Sequence, residues 1–396
     1  MNFSHELTTA TRKKRVLADI VETHRRYEDV VVPVRHFFRR PDTDESPLFV
    51  HGSLGPLCLS TTAEGQLLNR LNMPAAYIHR CPDVLQAENI NYWLSKKPKM
   101  EVTVRMVLSE NNWKIKQLQD EMVRITAKPE TEEGDPERVA TIKSEVNNLH
   151  NYRFEKLPND VRAILSSTYS KIDDDKLYPF VFEALEKMQD EKKKEDMQIK
   201  TWESDWYFSL LRVLYYSLEA EHGKRIHWGG VSISNSETAG SAIWIKPMVR
   251  AGSMDAGNAY DYLDSSLAGS TRFIHRGEMN LDKIEEAVVR AHEAAQTGIA
   301  RLIECGTIFV QKPAVEAEAL VRNNDHLPTR LIQVLKDQYE KKLEATKLEI
   351  AESILEAVKD LPAFKKQLAE EVVGRYLNLF NDIEGRVAAV VSTGAV

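Results

Sequence analysis

Residues 226–250, IHWGGVSISNSETAGSAIWIKPMVR, constrain what this chain can fold into more than any other stretch. Val231 and Ile233 alternate with Ser232 and Ser234, and after a polar corner Ile243, Trp244 and Ile245 lead to Pro247 and Arg250. Successive strand side chains point to opposite faces, so two such runs around a turn-forming corner predict a β-hairpin. The corner (Asn235, Ser236, Glu237, Thr238, Ala239, Gly240) carries more donors and acceptors than chain reversal requires. It is the first candidate for a functional centre.

The flanking segments place this hairpin in an α+β core with an antiparallel or mixed sheet packed by helices. EVTVRMVL (101–108) alternates as a strand, and WYFSLLRVLYYSL (206–218) is aromatic and β-prone enough for a central strand. A helix is expected from Thr61 to about Leu71, and another from the Asp173-Asp174-Asp175 cluster, which can cap it, through Leu185. From Asp282, the spacing of Ile284, Val288, Ala291, Ala295, Ile299 and Leu302 predicts a helix. Residues 109–150 read as an insertion: helical spacing, an acidic linker PETEEGDPE, then helical spacing again. The core is expected to span 1–311. A C-terminal helical hairpin follows over 312–396, with one helix marked by Leu331, Leu335, Tyr339, Leu343, Ile350, Ile354 and Val358. The second runs from Phe364 to Ile383, after a break at Leu361-Pro362. Its apolar stripes suit core packing or self-association.

At 396 residues the chain can bury a sizeable core and hold more than one unit. No run approaches the roughly 18 apolar residues of a membrane span, and the first residues, MNFSHELTTATRKKRV, do not read as a secretory signal. Three widely spaced cysteines, Cys58, Cys81 and Cys305, point to reduced thiols in a cytoplasm. The net charge of −7 means that any nucleic-acid contact must come from local basic patches. Residues 1–40, with nine Lys/Arg against five acids, are one such patch. They read either as an arm for phosphates or as a solvated helix face before a strand at Val30–Val34.

The phosphate-loop, dinucleotide, zinc-protease and serine-elbow signatures are absent from the sequence. Asp173, Asp174 and Asp175 with Glu237 could hold Mg²⁺ through carboxylate oxygens, or could be a helix cap beside a solvated turn. Glu237 and His275 are a candidate acid/base pair. Arg162, Lys171, Lys246, Arg250, Arg272, His275 and Arg276 flank expected strand ends, with Trp228 and Trp244 nearby. Cations on a sheet rim with interleaved aromatics suit a single strand, phosphates neutralised and bases stacked. Equally, the aromatics can be core and the cations paired with Asp261, Asp264 and Glu278.

Four segments in order, LNMPAAYIHRCP, VRAILSSTYSKIDDDKLY, GGVSISNSETAGSAIWIKPMVRAGS and FIHRGEM, resemble the phage/plasmid-like proteins carrying domain of unknown function nine-thirty-two. The resemblance covers roughly Pro56 to Glu304. Arg162, Ser166, Tyr169, Asp173, Asn235, Ser236, Glu237, Arg250 and His275 are the shared positions. After the shared arginine that family continues with a cysteine and an asparagine-glycine pair, whereas Arg250 is followed here by Ala251, Gly252 and Ser253, so no role of that cysteine carries over. The resemblance implies a gene of mobile elements working on DNA in a bacterial cytoplasm, and no established reaction. Such elements often encode single-strand annealing proteins, which makes a non-catalytic, oligomeric single-stranded-DNA binder the first expectation. The alternatives are an enzyme on nucleic acid or nucleotide centred on Asp173, Glu237 and His275, and a host-interaction or counter-defence protein.

Overall fold

A computed structural model describes residues 9–40, 49–51, 55–126, 136–153, 159–167, 169, 172–188, 197–204, 207–253, 258–263, 269–274 and 282–380. The chain is of mixed α+β class and divides into two compact units, cut elsewhere than at residue 311. An N-terminal unit comprises residues 19–170 and 238–240; a C-terminal unit comprises 1–18, 171–237 and 241–396. Helix α1 (Thr9–His24) opens the described chain.

The N-terminal unit is a six-stranded mixed sheet of β1 (Tyr27–Pro33), β2 (Phe37–Arg39), β3 (Phe49–His51), β4 (Gly55–Leu59), β5 (Glu101–Val107) and β6 (Asn159–Ser166). The strand order is β1-β5-β6-β4-β3-β2, with β4 and β6 parallel. Between β4 and β5 lie α2 (Thr61–Arg70), α3 (Ala75–Ile78) and α4 (Asp83–Ser95). Ser60 starts α2: its hydroxyl accepts from the Ala63 amide at 3.1 Å, satisfying a donor that the first turn leaves bare. Leu67, Leu68, Leu71, Ile90 and Leu94 then pack against Val102, Val104 and Met106, the even-numbered side of β5. On its other side Arg105 forks onto Asp29 of β1, at 3.1 Å through both Nε and NH2. Helices α5 (Glu110–Thr126) and α6 (Pro136–Arg153) stand between β5 and β6, which pair directly, Val102 opposite Ser166.

The C-terminal unit is built on β7 (Met197–Ser204), β8 (Ser209–His222), β9 (Arg225–Asn235), β10 (Ile243–Ser253), β11 (Ala259–Leu263) and β12 (Thr271–Phe273). The order is β11-β10-β9-β8-β7, all antiparallel, with β12 beside β10 as well. The expected hairpin is β9–β10, and the aromatic run is the strand at its side. Helices α7 (Asp174–Lys187) and α8 (Asp282–Cys305) cover one face. There Tyr215 meets His292 edge-on at 4.7 Å, and a Cβ on Gly298 would stand 2.8 Å from Val249.

The chain continues through α9 (Pro313–Arg322), α10 (Leu331–Tyr339), α11 (Lys347–Ala357) and α12 (Ala363–Tyr376), with a two-residue pairing of Phe309–Val310 and Ala345–Thr346. The first long helix expected here is therefore two. Thr346 and Glu349 form a capping box that starts α11 afresh, and Leu343, assigned to the apolar stripe, is 87% exposed. Helix α12 covers the second sheet face: Gly374 lies so close to β11 that a Cβ would stand 1.9 Å from the Leu263 carbonyl oxygen. The sheet is thus buried on both sides, and Ser232 and Ser234 are as inaccessible as Val231 and Ile233. Among the described residues no helix is long and apolar enough to cross a membrane.

Candidate functional site

The first part of the polar corner, Asn235, Ser236 and Glu237, is buried at the end of β9, while Ala239 and Gly240 are exposed. Asn235 is fully buried, and its Nδ2 donates to the Ile172 carbonyl at 3.0 Å and to Asp174 Oδ1 at 2.8 Å. The same Asp174 oxygen accepts from Ser209 Oγ at 2.9 Å, and Tyr178 shares a hydrogen bond of 3.0 Å with that serine. Glu237 Oε1 accepts from the Asp174 amide at 2.8 Å. That amide is one of the donors a helix start cannot satisfy internally, and the positive end of the helix favours the carboxylate. Glu237 thus caps α7 from 63 positions along the chain. Asp173 holds the N-cap position without a capping side-chain bond, so the carboxylate in the cluster is its neighbour Asp174.

Burial pushes the Tyr178 hydroxyl well above its ordinary range, and the Asp174 charge pushes the same way. Asn235 Oδ1 is buried without a hydrogen-bond partner among the described residues. One carboxylate oxygen each of Asp174 and Glu237 lie within 4.8 Å of one another. Ser236 is buried beside them.

The opposite face of the same sheet carries a layer of charge under α12. Arg212 of β8, Ser232 of β9 and Lys246 of β10 stand side by side in register. The small serine separates two cations, and α12 lays Glu370 and Glu371 on them. Arg212 binds both oxygens of Glu370 and, at 2.6 Å, Asp261 of β11; Lys246 binds Glu371. Arg250 also reaches Asp261, at 3.0 Å, through NH1 alone. Burial opposes the Arg212 charge, but Glu370 and Asp261 outweigh it and hold the guanidinium more firmly protonated than usual. Burial would likewise raise the Asp261 carboxyl, yet Arg250 and Arg212 keep it below its ordinary value. For Glu370 burial wins, and its carboxyl is raised.

Beside this layer opens a cleft of about 460 Å³, walled by Arg212, Arg250, Tyr260 and Asp261 from the sheet and by Glu356, Lys366 and Glu370 from α11 and α12. Burial first, and then its bond to Glu356, pushes the Tyr260 hydroxyl up to about 12.

Trp244 stands on β10 between Ser234 of β9 and Arg272 of β12. The Lys246 ammonium lies 4.4 Å from its ring centre and the Arg272 guanidinium 5.8 Å. Arg272 is exposed and Trp244 half-buried. Trp228 gives its indole N–H to Glu219 at 2.7 Å.

The other expected residues are divided. Arg162 belongs to the N-terminal unit, buried on β6 with its guanidinium 3.7 Å from the centre of the Tyr27 ring. Ser166 ends that strand and takes the Tyr169 amide at 3.0 Å. Residues 9–40 are helix and strand, not an extended arm. Their Arg12 is buried and donates to the Ile199 carbonyl at 2.9 Å, within the C-terminal unit. Lys171, His275, Arg276, Asp264 and Glu278 lie outside the described residues. Ser209, Tyr178, Arg212, Glu370 and Glu371 belong to the site as well, and nothing local to their own segments marks them out in the sequence. Comparisons with protein-family models, curated proteins and solved structures find no match.

Proposed function

We propose that this chain is a non-catalytic single-stranded-DNA-binding or annealing protein of a phage or plasmid, working in recombination or replication in the cytoplasm of a bacterial host. The observation that carries the reading is Trp244, half-buried on β10 between the cations of Lys246 and exposed Arg272 of the edge strand β12. A ring flanked by positive charge stacks a base and draws the adjoining phosphates, whatever the sequence of the strand. Lys246 is already neutralised by Glu371, so Arg272 is the group left for phosphate, with Arg250 contributing the guanidinium nitrogens that Asp261 does not occupy. The resemblance to phage/plasmid-like proteins points the same way. Val315 and Val334 are exposed apolar residues of the C-terminal helices and support self-association there.

Gel-shift and annealing assays at low and high salt test this. The expected result is binding that weakens with salt and falls about fivefold or more in Trp244→Ala, the loss of one stacked base. Absence of binding at low salt, or affinity indifferent to salt, refutes it.

A second reading, a Mg²⁺-dependent enzyme on nucleic acid or nucleotide, is favoured by the pairing of Asp174 and Glu237. In that reading the cation is held by carboxylate oxygens, its hard-ligand preference. Turnover lost in Glu237→Gln with the fold intact supports it; nucleic acids and nucleotides left unchanged in the presence of Mg²⁺ rule it out.

A further inference from the structure

A second surface, on the N-terminal unit, combines exposed aromatic rings with cations that have no acidic partner among the described residues. Helix α4 turns Ala87, Ile90 and Leu94 into the core. Asn91 fixes its rotation: the side chain accepts from the Arg39 amide and donates to the Arg39 carbonyl, both at 2.8 Å. The helix cannot roll without breaking both bonds. Val84, Leu85, Tyr92 and Trp93 are therefore held outward, Tyr92 56% and Trp93 41% exposed. Their rings meet edge-on at 5.6 Å.

The helix runs out into Lys96-Lys97-Pro98-Lys99. The Lys96 ammonium lies 5.2 Å from the Tyr92 ring centre. None of these three lysines has an ion-pair partner among the described residues, whereas Arg212, Lys246 and Arg250 are all paired. Glu88, one turn before Tyr92, is the acid on this face of the helix.

Two large rings partly open to water, beside three lysines, match a chain of alternating flat bases and phosphates. We propose that α4 and the lysine segment after it form a stacking platform for single-stranded nucleic acid. Bases lie on Tyr92 and Trp93, and phosphates lie against Lys96, Lys97 and Lys99. The inference rests on the reading of the chain as a single-strand binder and adds a surface to it. The occupant follows from charge complementarity: an acidic polymer with π faces satisfies both halves of the patch.

The test uses the full chain with a thymine oligonucleotide carrying photoreactive 5-iodouracil, cross-linked peptides being mapped by mass spectrometry. Cross-links within residues 83–99 are expected. The double substitution Tyr92→Ala/Trp93→Ala should weaken binding about tenfold or more. Replacing Lys96, Lys97 and Lys99 by Gln should reduce the slope of log affinity against log salt by about 2. Four of the five residues are exposed and Lys97 is half-buried, and circular dichroism checks that the variants fold. Undiminished binding with cross-links elsewhere overturns the platform and leaves single-strand binding standing. No binding of the oligonucleotide by the unaltered chain overturns both. Binding to anionic phosphatidylserine vesicles instead, lost in the same variants, assigns the surface to lipid and also overturns the proposal.

Discussion

The charged layer under α12 makes a quantitative prediction about Arg212. Its guanidinium is 4% exposed and holds together two carboxylates that are themselves 6% and 1% exposed, Asp261 and Glu370. In Arg212→Met, Asp261 keeps Arg250, but Glu370 loses the cation that both its oxygens bind. An unpaired carboxylate at that depth costs about 3–5 kcal/mol at neutral pH. The cost depends on pH in a stated direction. Burial already raises the Glu370 carboxyl, and removing Arg212 removes the charge that opposes this. A group whose folded pKa is raised contributes stability at low pH and loses it as pH rises through that folded value. The defect of Arg212→Met must therefore be largest near pH 7.5 and shrink towards pH 5, as Glu370 takes up a proton. Urea unfolding of both proteins across that range, followed by tryptophan fluorescence, reads it. Arg250→Met, in which Arg212 continues to neutralise Asp261, should cost about 1 kcal/mol. A defect below about 1 kcal/mol for Arg212→Met at pH 7.5, or one that grows on acidification, would refute the argument.

Three further predictions concern neighbouring contacts. Lys246→Met or Glu371→Leu alone should each destabilise by about 3–5 kcal/mol, while the two together should come within about 1 kcal/mol of the parent, because an apolar pair replaces a buried ion pair at little net cost; a double-mutant cycle by urea unfolding checks this. Asn235→Asp sets a carboxyl against Asp174 in the dry interior and raises the pKa of the introduced group, so stability should fall by about 3 kcal/mol at pH 7.5 and recover as pH drops. A loss independent of pH counts against the geometry of the polar centre. Gly374→Ala drives a Cβ into the Leu263 backbone, which cannot turn aside as a side chain would. Thermal unfolding should register a loss of about 3 kcal/mol.

How much of this was visible in the sequence depended on whether the signal was local. The β9–β10 hairpin, α8 and the paired helices between β5 and β6 follow from periodicities that each segment carries by itself. Alternation shows which residues share a face, but not what covers that face. Ser232 and Ser234 share the face opposite Val231 and Ile233, and the cover over that face is α12, over 130 positions later in the chain. The same helix turns Lys246 from a rim cation into a member of an ion-pair layer through Glu371. Arg250 does pair with Asp261, as one of the two readings of these cations had it. The return of residues 1–18 to the unit formed by the second half of the chain rests on contacts across nearly 190 positions, such as Thr9 with the Met197 carbonyl. No local pattern encodes them. One boundary does carry a local signal: Thr346 with Glu349 spells a capping box, which separates α10 from α11 within the stretch from Leu331 to Val358.

Single-strand binding is the central claim, and its most direct measure is fluorescence anisotropy of a labelled thymine oligonucleotide titrated with the full chain over a series of salt concentrations. Contact by Arg272, Arg250 and the lysines after α4 predicts affinity that falls linearly in log–log form, with a slope of about −2 to −4. A slope near zero, or no rise in anisotropy at the lowest salt, contradicts it.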